Sequence, residues 1–394
     1  MCWTERLRLA ALGRECLEFK IGVGGIRVEI LDHITVYRES GRYAGWPANY
    51  GIWAWGDEIV TGFFVGVLAP GAGDFHPRDR SRPFQVLQAR TVDGGRHWSV
   101  TPSPAPSPGQ RAFSADEHVV PRLRIGPLLA AMPPLPGLDR PVDFTHPDFA
   151  LLCARSGLAL GARSWFYLSY DRARHWMGPY GLPSFGLPGV AARTDYQVLG
   201  RHRCLLFLSG AKPDGNEGRV FSVLTEDGGM TFHFQGWIGD VSGPNDGYAI
   251  MPASVRLPDG RLVVAVRRRG GSKAGTCWID LWRSDDEGQH WQYLGRPEPD
   301  TGRGGNPPSL VALPDGRLCL TYGVRRAPYS ICARLSEDGG RSWGPARVLR
   351  SGGGDHDIGY PRTAVRSDGA LVTVYYWNDD PGGERCIAAT LWKA

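Results

Sequence analysis

The chain repeats the pattern Ser/Thr-x-Asp-x-Gly-x-x-Trp/Phe along most of its length. Clear copies run from Thr91 to Trp98, Thr225 to Phe232, Ser284 to Trp291 and Ser336 to Trp343. A degenerate copy, Ser169 to Trp176, has Ala173 where glycine is expected. In a turn of this kind the aspartate side chain satisfies backbone N–H groups of its own loop, the glycine permits a positive φ angle, and the aromatic ring packs between strands. The motif is therefore a folding device and carries no chemistry itself. Because it recurs, it sets the architecture: each unit covers its apolar faces only by stacking on its neighbours.

A second repeat interleaves with the first. It reads as a proline, a short stretch, a Gly-centred turn and an apolar run: Pro252 to Gly260 then Leu262 to Val266, Pro308 to Gly316 then Leu318 to Leu320, and Pro361 to Gly369 then Leu371 to Tyr375. A looser copy runs from Pro47 to Gly56 and on to Ile59 through Phe63. The Asp-Gly pairs at 259, 315 and 368 are hairpin signals. Each unit is then strand, hairpin, strand, loop, strand, Asp-box turn, strand, which is a four-stranded blade. Blades beginning near Pro47, Pro147, Asp195, Pro252, Pro308 and Pro361 predict an all-β, six-bladed β-propeller of antiparallel blades. The last blade has no Asp-box, and the strand Ile26 to Tyr37 is expected to complete it and close the ring, which removes exposed strand edges. A content of 54 Gly and 31 Pro with 14 each of Trp, Tyr and Phe fits short strands joined by tight turns. Residues 1–394 read as one domain, with an N-terminal extension over 1–25 and a long Pro-rich inter-blade insertion over 99–140.

Charge and cysteine usage narrow the function. A net charge of +5 with no Lys/Arg run argues against nucleic acid as a partner. No stretch approaches the ~20 apolar residues of a membrane span, and no signal peptide is evident, so a soluble, cytoplasmic protein is expected. The eight cysteines form no C-x-x-C pair and no zinc spacing. Reduced, buried thiols follow, with no metal and no cofactor implied.

Several Asp-boxes on a six-bladed pattern resemble the sialidase (neuraminidase) superfamily. The resemblance implies a glycoside hydrolase, a retaining exo-α-sialidase-like enzyme acting on a small-molecule or glycan substrate that ends in an acidic sugar. In blade six, Asp357-Ile358-Gly359-Tyr360-Pro361-Arg362 places Tyr360 at the family's nucleophilic tyrosine. A neutral phenol suits attack on an anomeric carbon that bears a carboxylate, where Asp or Glu would be repelled. Arg267 and Arg325 match two arginines that clamp the substrate carboxylate, and Arg42 or Arg38 would supply the third. For the acid/base, the loop Gly73 to Arg80 offers Asp79 or Asp74, with His76 also in reach. The sequence departs from the family at two places. Gly45-Trp46-Pro47 replaces a Phe/Tyr-Arg-Ile-Pro motif, and Met251 stands near the glutamate that partners the tyrosine, leaving Glu39 and Asp246 as replacements. These departures keep open a propeller hydrolase or lyase for another anionic sugar such as a uronate, and a non-catalytic glycan- or protein-binding propeller.

Overall fold

The computed structural model describes residues 28–394, apart from 72–74, 80, 81, 83, 107–133, 241, 242, 244, 245 and 272–274. The Asp-box turns hold themselves together as the sequence implies. At Ser336, the hydroxyl oxygen accepts the Gly340 amide at 2.9 Å and donates to Asp338 Oδ1 at 2.9 Å. Asp338 Oδ1 also takes the Ser342 amide at 2.9 Å, and Trp343 Nε1 donates to Gly340 O at 3.1 Å. The degenerate copy keeps this pattern, with the Ala173 amide on Ser169 Oγ at 2.9 Å and the His175 amide on Asp171 Oδ1 at 2.9 Å. Those bonds hold Arg172 and Ala173 at φ 59° and 61°, a conformation that non-glycine residues adopt only when their surroundings over-determine it.

Six antiparallel sheets follow one another along the chain. In blade one, Arg42–Gly45 and Ile52–Trp55 both pair with Glu58–Val67, and Gln85–Thr91 and Ser99–Pro102 lie outside it. Ser99–Pro102, at the start of the expected 99–140 insertion, is thus the outer strand of this blade. Residues 107–133 of that insertion and the 1–25 extension lie outside the described residues. Blade two shows three strands among the described residues, Ala150–Arg155, Ser164–Ser169 and Met177–Gly181. Blade three again splits its inner strand, Val190–Ala191 and Tyr196–Gly200 both pairing with Arg203–Ala211, before Glu217–Thr225 and His233–Ile238. Blade four is Tyr248–Arg256, Leu262–Arg269, Cys277–Ser284 and Gln292–Glu298; blade five is Ser309–Ala312, Leu318–Val324, Ser330–Ser336 and Arg347–Arg350. Blade six runs Gly359–Val365, Leu371–Trp377 and Cys386–Lys393, and its outer strand is the N-terminal Glu29–Tyr37, in register Glu29 to Lys393 and Ile34 to Ala389. That strand closes the ring.

The second strands read as continuous apolar runs, and burial explains why. Every residue of Leu371–Trp377 is covered, as are Leu262 to Val266, because both faces of a blade pack on neighbouring blades. Of the cysteines, Cys153, Cys204, Cys277, Cys319, Cys332 and Cys386 are buried free thiols. No helix among the described residues is long and apolar enough to cross a membrane.

The turn geometry can be tested at Gly340. It sits at φ 93°, and a Cβ there would lie 2.7 Å from Leu281 Cδ2 of the neighbouring blade. Gly340→Ala should lower the unfolding free energy by more than about 1 kcal/mol, read as a lower midpoint in urea at unchanged slope. An unshifted midpoint would show that the box turn does not set the blade contact.

Candidate functional site

Three inner segments place a bulky residue at positive φ directly before a proline: Trp46 at 59°, Met251 at 55° and Tyr360 at 51°. The ladders slip beside two of them, between Ile250 and Ala253 and between Gly359 and Arg362. Such a bulge re-aims one side chain out of the ladder, and the strain of a left-handed tyrosine or tryptophan persists only where neighbours enforce it. At Tyr360 the enforcer is Asn306, which accepts the Tyr360 amide at 2.7 Å and donates to Ile358 O at 2.9 Å. Gly359 is required for that grip, because a Cβ there would meet Asn306 Nδ2 at 2.3 Å.

The bulges converge on two arginines. Arg267, on the second strand of blade four, donates from Nη1 to the Tyr360 hydroxyl at 3.0 Å and to Met251 Sδ at 3.4 Å, and from Nη2 to Gly304 O. Arg325, just past the second strand of blade five, donates from Nε to Ile358 O at 3.0 Å and from Nη2 to the Tyr376 hydroxyl. Both guanidinium carbons lie over the Tyr360 ring, at 5.6 Å and 5.4 Å. Tyr360, Arg267 and Arg325 are all buried. Arg267 is held by one phenol, a thioether and a carbonyl with no carboxylate among its bonded partners, and its Nε has no partner among the described residues. A buried cation in that condition lacks the counter-charge that would offset its burial.

One buried carboxylate gathers the groups beside Arg325. Asp357 is fully covered; it accepts Tyr376 OH at 2.6 Å, Tyr43 OH at 2.9 Å and Arg385 Nε at 3.2 Å, and its Oδ1 lies 3.9 Å from Arg325 Nη2. Its Oδ1 is also 2.6 Å from His76 Nδ1. Burial opposes the charge, yet the His76 hydrogen bond and the Arg385 and Arg325 guanidinium groups hold this carboxyl well below the usual carboxylate range. Burial pushes the Tyr43 and Tyr376 phenols well above theirs, so both remain donors. Phe75 stands edge-on to His76 at 4.9 Å and lies beneath the Arg325 and Arg303 guanidinium carbons at 5.1 Å and 5.3 Å.

The structure brings together Tyr360, Arg267 and Arg325, with His76 next to Arg325 across Asp357. Other expected residues are engaged elsewhere. Arg38 pairs with Asp379 and with Cys386 Sγ at 3.4 Å, while Arg42 and Glu39 pair with each other at 3.1 Å, and Glu39 also takes the Tyr37 hydroxyl. The reason is alternation along Arg42–Gly45: Tyr43 turns inward onto Asp357, which puts Arg42 on the other face. Asp246 is exposed and caps its own loop through the Gly243 amide at 2.7 Å. None of these four touches the arginine–tyrosine cluster. Asp79 pairs with Arg82 at 3.4 Å, and Asp74 lies outside the described residues. Asp357, Tyr376, Tyr43, Arg385 and Asn306 were not singled out as site residues in the sequence. The signals available were Asp357, three residues ahead of Tyr360, and the adjacent phenols Tyr375 and Tyr376 inside an apolar run. Among the described residues, no group of His, Cys, Asp and Glu is arranged to hold a metal ion.

Comparison with known proteins fits this architecture. No curated protein sequence matches the chain. Among solved structures, a protein of unknown function from Dyadobacter fermentans DSM 18053 aligns with a TM-score of 0.68 at 19% identity, over 93% of this chain and 99% of that one. Trypanosoma rangeli sialidase in complex with sialic acid aligns at 0.53 and 13% identity, over 87% of this chain and 53% of that one, so the chain spans about half the sialidase's length. Penicillium chrysogenum alpha-L-arabinanase complexed with arabinobiose aligns at 0.54 and 15% identity, over 92% and 98%. The likeness is one of fold, a propeller of the kind that sialidases and an arabinanase use. The family profile of the BNR repeat-like domain matches residues 151–373, more than half of the sequence, and the chain belongs to that family.

Proposed function

We propose that the chain cleaves the glycosidic bond of an acidic sugar, with Arg267 and Arg325 receiving the sugar carboxylate and Tyr360 as the side chain that reacts. The observation that carries this reading is the convergence of two buried guanidinium groups on one phenol, one of them with no carboxylate among its bonded partners. Buried cations side by side need an anion to offset their repulsion, and a planar guanidinium matches a carboxylate in two-point contact. In its hydrolytic form the reading is a retaining exo-glycosidase for sialic acid or a related ulosonic acid, with Tyr360 as nucleophile. A specific feature favours a second form, a hydrolase or lyase for a uronate. Met251 stands near the position where the family resemblance expects a glutamate, and the Tyr360 hydroxyl is bonded by Arg267, which also holds the Met251 thioether, in place of a carboxylate base.

Turnover of a glycoside panel tests the reading, with sialosides and uronides set against neutral sugars of the same linkage. Cleavage should be confined to the acidic members. Tyr360→Phe should lose at least about 100-fold in kcat while substrate binding changes only a few-fold. Arg267→Ala should raise KM by about tenfold or more, since charge-assisted hydrogen bonds contribute about 1.5–3 kcal/mol. Equal cleavage of neutral sugars, or full activity in Tyr360→Phe, would remove this site from the reaction.

A further inference from the structure

We infer that the site breaks its glycan by β-elimination from a uronic acid residue, with His76 as the base and Tyr360 as the acid. This rests on the acidic-sugar reading above and selects one chemistry within it.

The first reason is the state of His76. Its Nδ1 lies 2.6 Å from Asp357 Oδ1 and 3.0 Å from the Tyr43 hydroxyl. Asp357 is an ionised acceptor, already taking Tyr43, Tyr376 and Arg385, so the imidazole proton belongs on Nδ1 and Nε2 carries the lone pair. Burial holds the imidazole below its usual pKa, with Asp357 opposing and the Arg325 and Arg78 charges adding to the effect. A neutral imidazole oriented by a carboxylate is built to accept a proton. The ring is set edge-on against Trp46 at 5.1 Å and Phe75 at 4.9 Å, and its side chain keeps 19% exposure where Asp357 has none.

The second reason is the wiring of Tyr360. Its hydroxyl oxygen accepts from Arg267, and its proton has no acceptor among the described residues. A nucleophilic phenol must give that proton to a base, and Met251 supplies none. A phenol whose oxygen is already held by a guanidinium group is placed to donate, with Arg267 as counter-ion to the oxygen left behind.

The third reason selects the sugar. In a hexuronate, C5 bears both the carboxylate and a hydrogen, and pairing the carboxylate with two guanidinium groups stabilises the enolate-like charge that forms when that hydrogen leaves. In a sialoside the carbon bearing the carboxylate is the anomeric one and has no hydrogen for His76 to remove. The step balances without water or any co-reactant. His76 Nε2 takes the C5 proton, the C5–H electron pair becomes the C4=C5 double bond, and the C4–O bond breaks with its pair on oxygen, which takes the Tyr360 proton. The products are an unsaturated uronate and a free sugar hydroxyl; the imidazolium and phenolate then exchange a proton through solvent.

The test incubates the full chain with oligosaccharides whose glucuronate or galacturonate residues carry the next sugar on O4, and with a sialoside, in heavy-oxygen water. Elimination predicts growing ultraviolet absorbance from the conjugated carboxylate and products without heavy oxygen. His76→Gln and Tyr360→Phe should each lose at least about 100-fold in kcat with KM little changed. Asp357→Asn should move the acidic limb of the pH–rate profile to lower pH, because the Asp357 carboxylate raises the basicity of His76. Heavy oxygen in the product with no new absorbance would overturn elimination while leaving the acidic-sugar reading standing. Cleavage of no acidic glycan at all would overturn both. Because the wild-type product alone separates these outcomes, a variant that fails to fold does not spoil the test.

Discussion

The hydrogen-bonded carboxylate of Asp357 is the contact on which both the ring seam and the site depend. It gathers Tyr43 and His76 from the blade-one region, Tyr376 and Arg385 from blade six, and lies near Arg325 of blade five. Three of these groups bond it as donors from phenol or guanidinium, which offsets what a carboxylate loses on leaving water. The same seam is knit by backbone, with the Ala44 amide on Arg385 O at 2.9 Å. A group that ties blade one to blade six therefore also holds a histidine and lies beside the arginine whose guanidinium carbon sits over Tyr360.

The scaffold and the site are stabilised by different means, and this separates their sequence signatures. Asp-box turns satisfy themselves within a few residues, as Ser336, Asp338 and Gly340 do, so their pattern survives in the linear sequence. Second strands such as Leu371–Trp377 are covered on both faces by neighbouring blades and read as mostly hydrophobic runs. Local rules were enough to derive six blades and their closure by the N-terminal strand. Tyr360, Arg267 and Arg325 were reachable through the resemblance to sialidases, which assigns roles to positions near the start of a blade's inner strand and after its hairpin.

What escaped the sequence depended on distance or on a single step of register. His76 and Asp357 are 281 residues apart, and no local spacing links them. Arg42 looked suited to enter the site, yet strand alternation turns its neighbour Tyr43 inward and leaves Arg42 to pair with Glu39. Glu39 and Asp246 were expected as partners for Tyr360 because a glutamate is missing near Met251. In the structure that part of the site is filled by the Arg267 guanidinium itself, which touches Met251 and Tyr360 from one nitrogen. The left-handed backbone at Trp46, Met251 and Tyr360 could not be foreseen, since a residue before proline is ordinarily extended.

The central claim is that the Arg267–Tyr360–Arg325 cluster reads a carboxylate. Calorimetric titration of the chain with a uronate and with the neutral hexose of the same configuration tests it most directly. The account predicts that the uronate binds at least about tenfold tighter, a difference of about 1.4 kcal/mol, and that Arg267→Ala abolishes the difference. Equal affinity for the two sugars, or a preference that survives Arg267→Ala, would contradict it.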